Sequence, residues 1–161
     1  MIIGMTMAIA IPALTGTSTR EKRQAMRQIG KLSQYLHNEA SYKALPLRLV
    51  IDMNVQKFWA ETAPSETDGE DFQRSKFTDR FVKEEYKLPD GLKVVEVDTP
   101  RSGKISEGAV FALYTPFAYS DPLAIHFRDD DKTEWTVMLE PLTGRGRIYD
   151  GYFELVINQE Q

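Results

Sequence analysis

The chain has 161 residues, 42% of them hydrophobic and 27% charged, which fits one globular domain with a core of its own. It holds no cysteine, so a disulfide framework and a thiolate metal site are both excluded. Its net charge of −4 gives no general attraction to nucleic acid.

The first element is an uncharged apolar run, Met1 to Leu14 (MIIGMTMAIAIPAL). A membrane-crossing helix needs roughly 20 apolar residues, so this run alone is too short to span. No basic residue precedes it, so a secretory signal would lack its charged region. It is either an internal helix or the tail of a longer apolar segment. Pro12 predicts a kink, because proline removes a helix hydrogen bond. Thr15 to Thr19 (TGTST) predicts a bend, since glycine is permissive and Ser/Thr compete for backbone hydrogen bonds.

An amphipathic helix follows, to about Ala44. Met26, Ile29, Leu32 or Ser33, Leu36, Ala40 and Ala44 recur at steps of three and four, which marks one face. Ile29 and Leu36 are read as inward; Arg20 and Lys22 are read as exposed. Gly30 is a weak point in a helix interior. From Thr15 to Ala44 six basic residues face two glutamates, a net of +4, so the rest of the chain carries −8. A basic segment behind an apolar run suits anionic headgroups; a solvated helix face is the plain alternative.

Pro46 ends the helix. Leu47 to Ile51 and Gln56 to Glu61 read as a hairpin turned at Asp52-Met53-Asn54. Thr62 to Arg74 is a polar, acidic loop, and Phe77 to Tyr86 has no clear period. Leu88-Pro89-Asp90-Gly91 is a turn, Leu92 to Val97 a strand, and Pro100 to Gly108 a loop. Ala109–Tyr114, Leu123–Arg128, Glu134–Leu139 and Gly146–Tyr149 are further strands, with Asp129 to Lys132 turning one hairpin. The expected class is α+β: one long helix, from near residue 3 to near residue 44, on a mostly antiparallel β-sheet body.

Little in this pattern carries chemistry. His37 and His126 lie far apart without cysteine, so a packing or solvated role is expected for each. There is no phosphate loop, no GxSxG and no HExxH. Asp68, Glu70 and Asp71 could offer calcium some of the about six to eight oxygens it takes, but their spacing is not that of an EF-hand, and a solvated loop is the simpler reading. Pro141-Leu142-Thr143-Gly144 lacks the order and tail of a sortase signal and reads as a turn. Trp59, Trp135, Tyr114 and Phe127 read as core, although an adhesive aromatic surface is the other use of such residues. The Pro-bounded segment with Phe117, Tyr119, Asp121 and Pro122 is the candidate contact loop. No catalytic group, cofactor, metal or small-molecule substrate is expected.

Residues 2–14 (IIGMTMAIAIPAL) resemble the second half of the type IV pilin-like N-terminal helix, commonly IIGILAAIAIPAL. Arg27-Gln28-Ile29 through Leu49-Val50-Ile51-Asp52 and Phe58-Trp59 resemble the GspH/FimT pseudopilin pattern, where a helix runs into "RLVxD…YW". Leu88-Pro89-Asp90-Gly91-Leu92 is similar to that family's "LPxGV", and residues 141–148 (PLTGRGRI) to its closing "PLTGRVRV". The leader, the glycine of the cleavage point and the acidic residue of the mature start have no counterpart here, so about ten mature residues would precede Met1 and no processing position is assigned. The resemblance implies a type IV pilin-like fold and a non-enzymatic, GspH-like minor pseudopilin of a type II secretion system. Ile2, Ile3, Gly4, Ala8, Ile9, Ile11, Pro12 and Leu14 would lie first in inner-membrane lipid and then in a filament core, where small residues permit close helix packing. Residues 15–161 would form the amphipathic half of the helix and a periplasmic β-domain, with other pilin-like subunits as partners. A FimT-like minor pilin, in pilus assembly or DNA uptake, is the alternative; the acidic body disfavours DNA. A periplasmic β-domain binding protein is a third reading.

Overall fold

Ser18 sets the start of the helix. In the computed structural model, which describes residues 18–64 and 73–156, Ser18 is extended (φ −66°, ψ 152°) and its hydroxyl accepts the Glu21 backbone N–H at 3.3 Å. This is the N-cap arrangement that satisfies one of the orphan donors of a helix start. Helix α1 therefore runs Thr19–Tyr42. The part of the expected helix reaching back toward residue 3 lies outside the described residues.

The other end differs from the expectation. Ala44 continues the apolar stripe in the sequence, but it is exposed, beyond the last helical turn, at φ +49°. Leu45 N–H donates to the Ala40 carbonyl at 3.1 Å and Ala44 N–H to that of Ser41 at 3.4 Å. That pair of bonds is a Schellman cap with alanine where glycine is usual. Pro46 is the cause: it disfavours helix at the residue before it, so the chain turns out early and Leu45 packs back on the core. Replacing Ala44 with glycine removes the Cβ clash of the left-handed conformation. We expect Ala44→Gly to stabilise the protein by about 0.5–1 kcal/mol. A urea midpoint below that of the parent would contradict this account.

Ten strands follow in chain order: β1 Leu47–Asp52, β2 Lys57–Thr62, β3 Tyr86–Lys87, β4 Leu92–Thr99, β5 Gly103–Ile105, β6 Ala109–Thr115, β7 Tyr119–Ser120, β8 Leu123–Asp129, β9 Glu134–Leu139 and β10 Gly146–Asp150. They form two five-stranded antiparallel sheets, ordered β3-β2-β1-β6-β7 and β10-β9-β8-β4-β5. Three of these strands fall outside the expected set. β3 lies at the end of the stretch without a period, β5 in the segment expected to be a loop, and β7 inside the candidate contact loop. Each is two or three residues long, too short to show alternation, and exists because a longer neighbour offers free backbone partners.

Helix α1 lies against β10, β1, β6 and β9, so it touches both sheets. Met26, Ile29, Leu36 and Ala40 are fully buried. Leu32 and Ser33 are both buried as well, so the stripe is wider than a single row. The Ser33 hydroxyl accepts the Tyr114 O–H at 2.7 Å, which gives each of these two buried hydroxyls a partner. From the sheets, Leu47, Leu49, Ile51, Leu123, Ile125, Phe127, Trp135 and Val137 complete a single cluster. The reading of Tyr114, Phe127 and Trp135 as core holds; Trp59 is only half-buried.

Two polar devices join the parts. Gln56, in the β1–β2 turn at φ +55°, binds Val94 of the other sheet twice: its amide donates to the Val94 carbonyl at 3.0 Å and accepts the Val94 N–H at 2.8 Å. Strand β4 bulges at that point, between Val94 and Glu96. The chain after β10 then crosses the outer face of the second sheet. The Thr136 hydroxyl donates to the Gly151 carbonyl at 2.8 Å and accepts Phe153 N–H at 3.0 Å. Tyr152 stacks on His126 at 4.1 Å and donates to Glu96 at 2.6 Å, and Lys104 pairs with Glu154 at 2.5 Å.

Candidate assembly surface

The candidate helix residues Ile2, Ile3, Gly4, Ala8, Ile9, Ile11, Pro12 and Leu14 lie outside the described residues, as do Asp68, Glu70 and Asp71. Among the described residues no group of acidic and histidine side chains is placed to hold a metal ion, and no helix is long and apolar enough to cross a membrane.

The candidate contact loop divides into two pairs. Phe117 is 89% exposed and Tyr119 46% exposed, at the turn between β6 and β7 where Ala118 takes a left-handed conformation. Asp121 and Pro122 are half-buried. The Asp121 carboxylate accepts Leu113 N–H at 3.1 Å and pairs with Arg101 at 3.3 Å. Asp121 thus fastens the base of the loop, and only the two aromatics are presented.

Both histidines are packed. His37 is buried on α1 beside the β9–β10 turn, its Cβ facing Gly144. His126 is 2% exposed, with Nδ1 3.1 Å from the Thr136 hydroxyl. That hydroxyl already donates to Gly151, so the Nδ1 atom of the ring is the donor in the pair. Burial under Tyr152 holds the His126 pKa below its ordinary value, although Glu96 and Asp98 oppose this. Its neighbours are structural: Glu96, 3.8 Å from Nε2, accepts the Tyr152 O–H, and the Thr136 hydroxyl is committed to Gly151 and Phe153.

The outward side of α1 is the more distinctive surface. Lys22, read from the sequence as exposed, is 7% exposed and binds Asp129 at 3.0 Å. It sits four residues ahead of Met26, on the buried stripe, and the acid across from it permits a cation there. Arg23 pairs with Asp150 at 2.5 Å, and Lys43 with Glu39 at 3.0 Å. Arg20, Arg27 and Lys31 are exposed and have no ion pair among the described residues.

On one flank of this basic row is an apolar groove of about 420 Å3, lined by Leu32, Tyr35, Phe81, Val82 and Tyr86. Its wall is fixed by Tyr35, whose O–H donates to Asp79 at 2.6 Å. Burial, then the Asp79 carboxylate, push the Tyr35 pKa up. Asp79 in turn accepts the Phe81 and Val82 N–H groups, which shapes the loop that carries Phe81. On the other flank is a cleft of about 220 Å3 between α1 and β10, lined by Arg27, Gly30, Lys31, Gln34, Arg145, Gly146 and Ile148. Sequence spacing shows the helix row but neither flank, because Phe81 and Arg145 reach it from distant segments. The one signal in the sequence is Gly144-Arg145-Gly146, two glycines around a cation.

No family model and no curated protein matches the sequence. In structure the chain is similar to the minor pseudopilin EpsH of the type 2 secretion system of Vibrio cholerae. One EpsH structure aligns with a TM-score of 0.59 at 13% identity, covering 81% of this chain and 97% of that one. A second aligns with a TM-score of 0.62 at 13% identity, covering 84% and 98%. The alignments take in almost the whole of each EpsH chain, so the likeness includes the helix and both sheets together. This chain has the minor-pseudopilin fold: one amphipathic helix laid across two antiparallel sheets.

Proposed function

We propose that this chain is a non-enzymatic, pilin-like filament subunit, a minor pseudopilin of a type II secretion system of the GspH kind. The carrying observation is that α1 is committed to the body by one face only. Its other face keeps a row of cations with no ion pair among the described residues, and the apolar run Met1 to Leu14 precedes it in the sequence. A run of that character is not left in water by a monomer; inner-membrane lipid and neighbouring subunits supply the cover. In this reading the β-body lies in the periplasm, and Phe117 and Tyr119 are available for lateral contact.

The test is deletion of the gene in its native host, with the exported proteins followed in the medium. The expected result is their retention in the periplasm. Export should return with the full chain and not with a chain lacking residues 1–14. Unchanged export together with loss of surface pili would replace this reading with that of a type IV minor pilin.

A further inference from the structure

The apolar groove on the flank of α1 lies between two rows of cations. Its floor and walls are Leu32, Tyr35, Phe81, Val82 and Tyr86. On the helix side stand Arg20, Arg27 and Lys31, and Lys31 lines the groove itself. On the loop side, the Arg80 guanidinium lies 4.5 Å from the centre of the Phe81 ring and the Lys83 ammonium 6.0 Å from that of Tyr86. None of these five cations has an ion pair among the described residues. The acids nearby are committed: Asp79 to the Tyr35 O–H and two backbone N–H groups, Glu39 to Lys43, Glu84 to Lys76, and Glu85 to Lys57 and Lys76.

The loop wall is tied to α1 by the Tyr35–Asp79 hydrogen bond, and the Tyr35 ring meets Phe81 edge-on at 5.9 Å. Phe81 is nevertheless 63% exposed, so the body presents this apolar surface without covering it. The groove runs level with residues 28–35 of α1, roughly 10 Å along the axis, or about two turns of a helix laid beside it. A helix bound in a groove sets its apolar stripe on the floor, and cations on both sides call for carboxylates on both flanks of that stripe. An anionic lipid carries its charge at one end of its tails and answers only one rim. A second copy of this chain does not match either. Helix α1, the one helix among the described residues, presents the same cations, and the run Met1 to Leu14 has no charge to set against either rim.

We infer that this groove receives an amphipathic helix of a different pilin-like subunit, one whose apolar stripe is flanked on both sides by Asp or Glu. Leu32, Phe81 and Val82 take the apolar side chains. Arg27 and Lys31 take the acids of one flank, and Arg80 and Lys83 those of the other. The inference rests on the filament-subunit reading and gives one of its contacts a surface and a chemistry.

The test is photocrosslinking in the native host, with the full chain carrying a benzophenone amino acid in place of Phe81. The expected product joins this chain to a different pilin-like subunit, and mass spectrometry places the link in a helical segment with acids on both flanks of its apolar stripe. Lys31→Glu with Arg80→Glu and Lys83→Glu should abolish that product, and Lys at the mapped acids of the partner should restore it. The neutral set, Lys31→Gln with Arg80→Gln and Lys83→Gln, should weaken the product without reversing the charge. All three positions are exposed, and thermal melting of each variant checks folding. No product, a link to lipid, to a second copy, or to a strand or loop of another subunit overturns the inference, as does a product that survives the charge reversal. If export still depends on the chain in that case, this inference fails alone. If export is also independent of it, the filament-subunit reading fails too.

Discussion

Gly146→Ala is expected to destabilise the protein by about 3 kcal/mol, the upper part of the usual range for overpacking. A Cβ on Gly146 would stand 2.5 Å from the Gly30 Cα. The obstacle is backbone in a helix, which cannot swing aside as a side chain can. Gly30→Ala is the informative partner. In an ordinary helix interior that change gains about 1 kcal/mol. Here the new Cβ would stand 3.1 Å from the Gly146 Cα, so the gain should vanish or reverse. Urea melts of both variants check the point. A stabilised Gly30→Ala would mean that helix and strand do not cross at contact distance. It would also remove the geometric basis of the cleft beside them.

Lys22→Ala should cost about 3 kcal/mol at neutral pH, the low end for breaking a buried ion pair. It strands the Asp129 carboxylate, whose side chain is 5% exposed. Burial alone would raise the Asp129 pKa, but the bonds from Lys22 and from Thr133 N–H outweigh it and hold the value below the ordinary carboxylate range. A carboxyl depressed in the folded state stabilises above its unfolded pKa, about 4, and that contribution is lost as pH falls through the folded value. The difference between parent and Lys22→Ala should therefore shrink between pH 7 and pH 3. Lys22→Met with Asp129→Leu should recover most of the loss, since an apolar pair leaves no charge stranded. A cost below about 0.5 kcal/mol at pH 7, the usual size of a surface change, would put Lys22 on the solvent side after all.

Much of this architecture is legible in the linear chain. The three- and four-residue recurrence of Met26, Ile29, Leu36 and Ala40 fixes the inward face of α1, because a helix has one period and the core takes whichever stripe is apolar. Pro46, the Asp52 turn and Leu88-Pro89-Asp90-Gly91 mark breaks through local backbone chemistry that needs no partner. The longer strands show themselves by alternation.

What the chain alone could not supply is set by residues far apart in sequence. Strands β3, β5 and β7 are defined by whom they pair with, and two or three residues carry no period. Lys22 lies on the buried stripe by spacing and on the outer surface by chemistry; Asp129, 107 residues away, decides between them. Gly30 reads as a flaw in a helix and Gly146 as the first residue of a strand. Only when the helix crosses β10 do they become one contact. The unpaired cations follow the same logic. Sequence counts the charges of α1, and tertiary structure decides which the body neutralises and which it leaves for another molecule, because an ion pair depends on distance in space and hardly at all on distance along the chain.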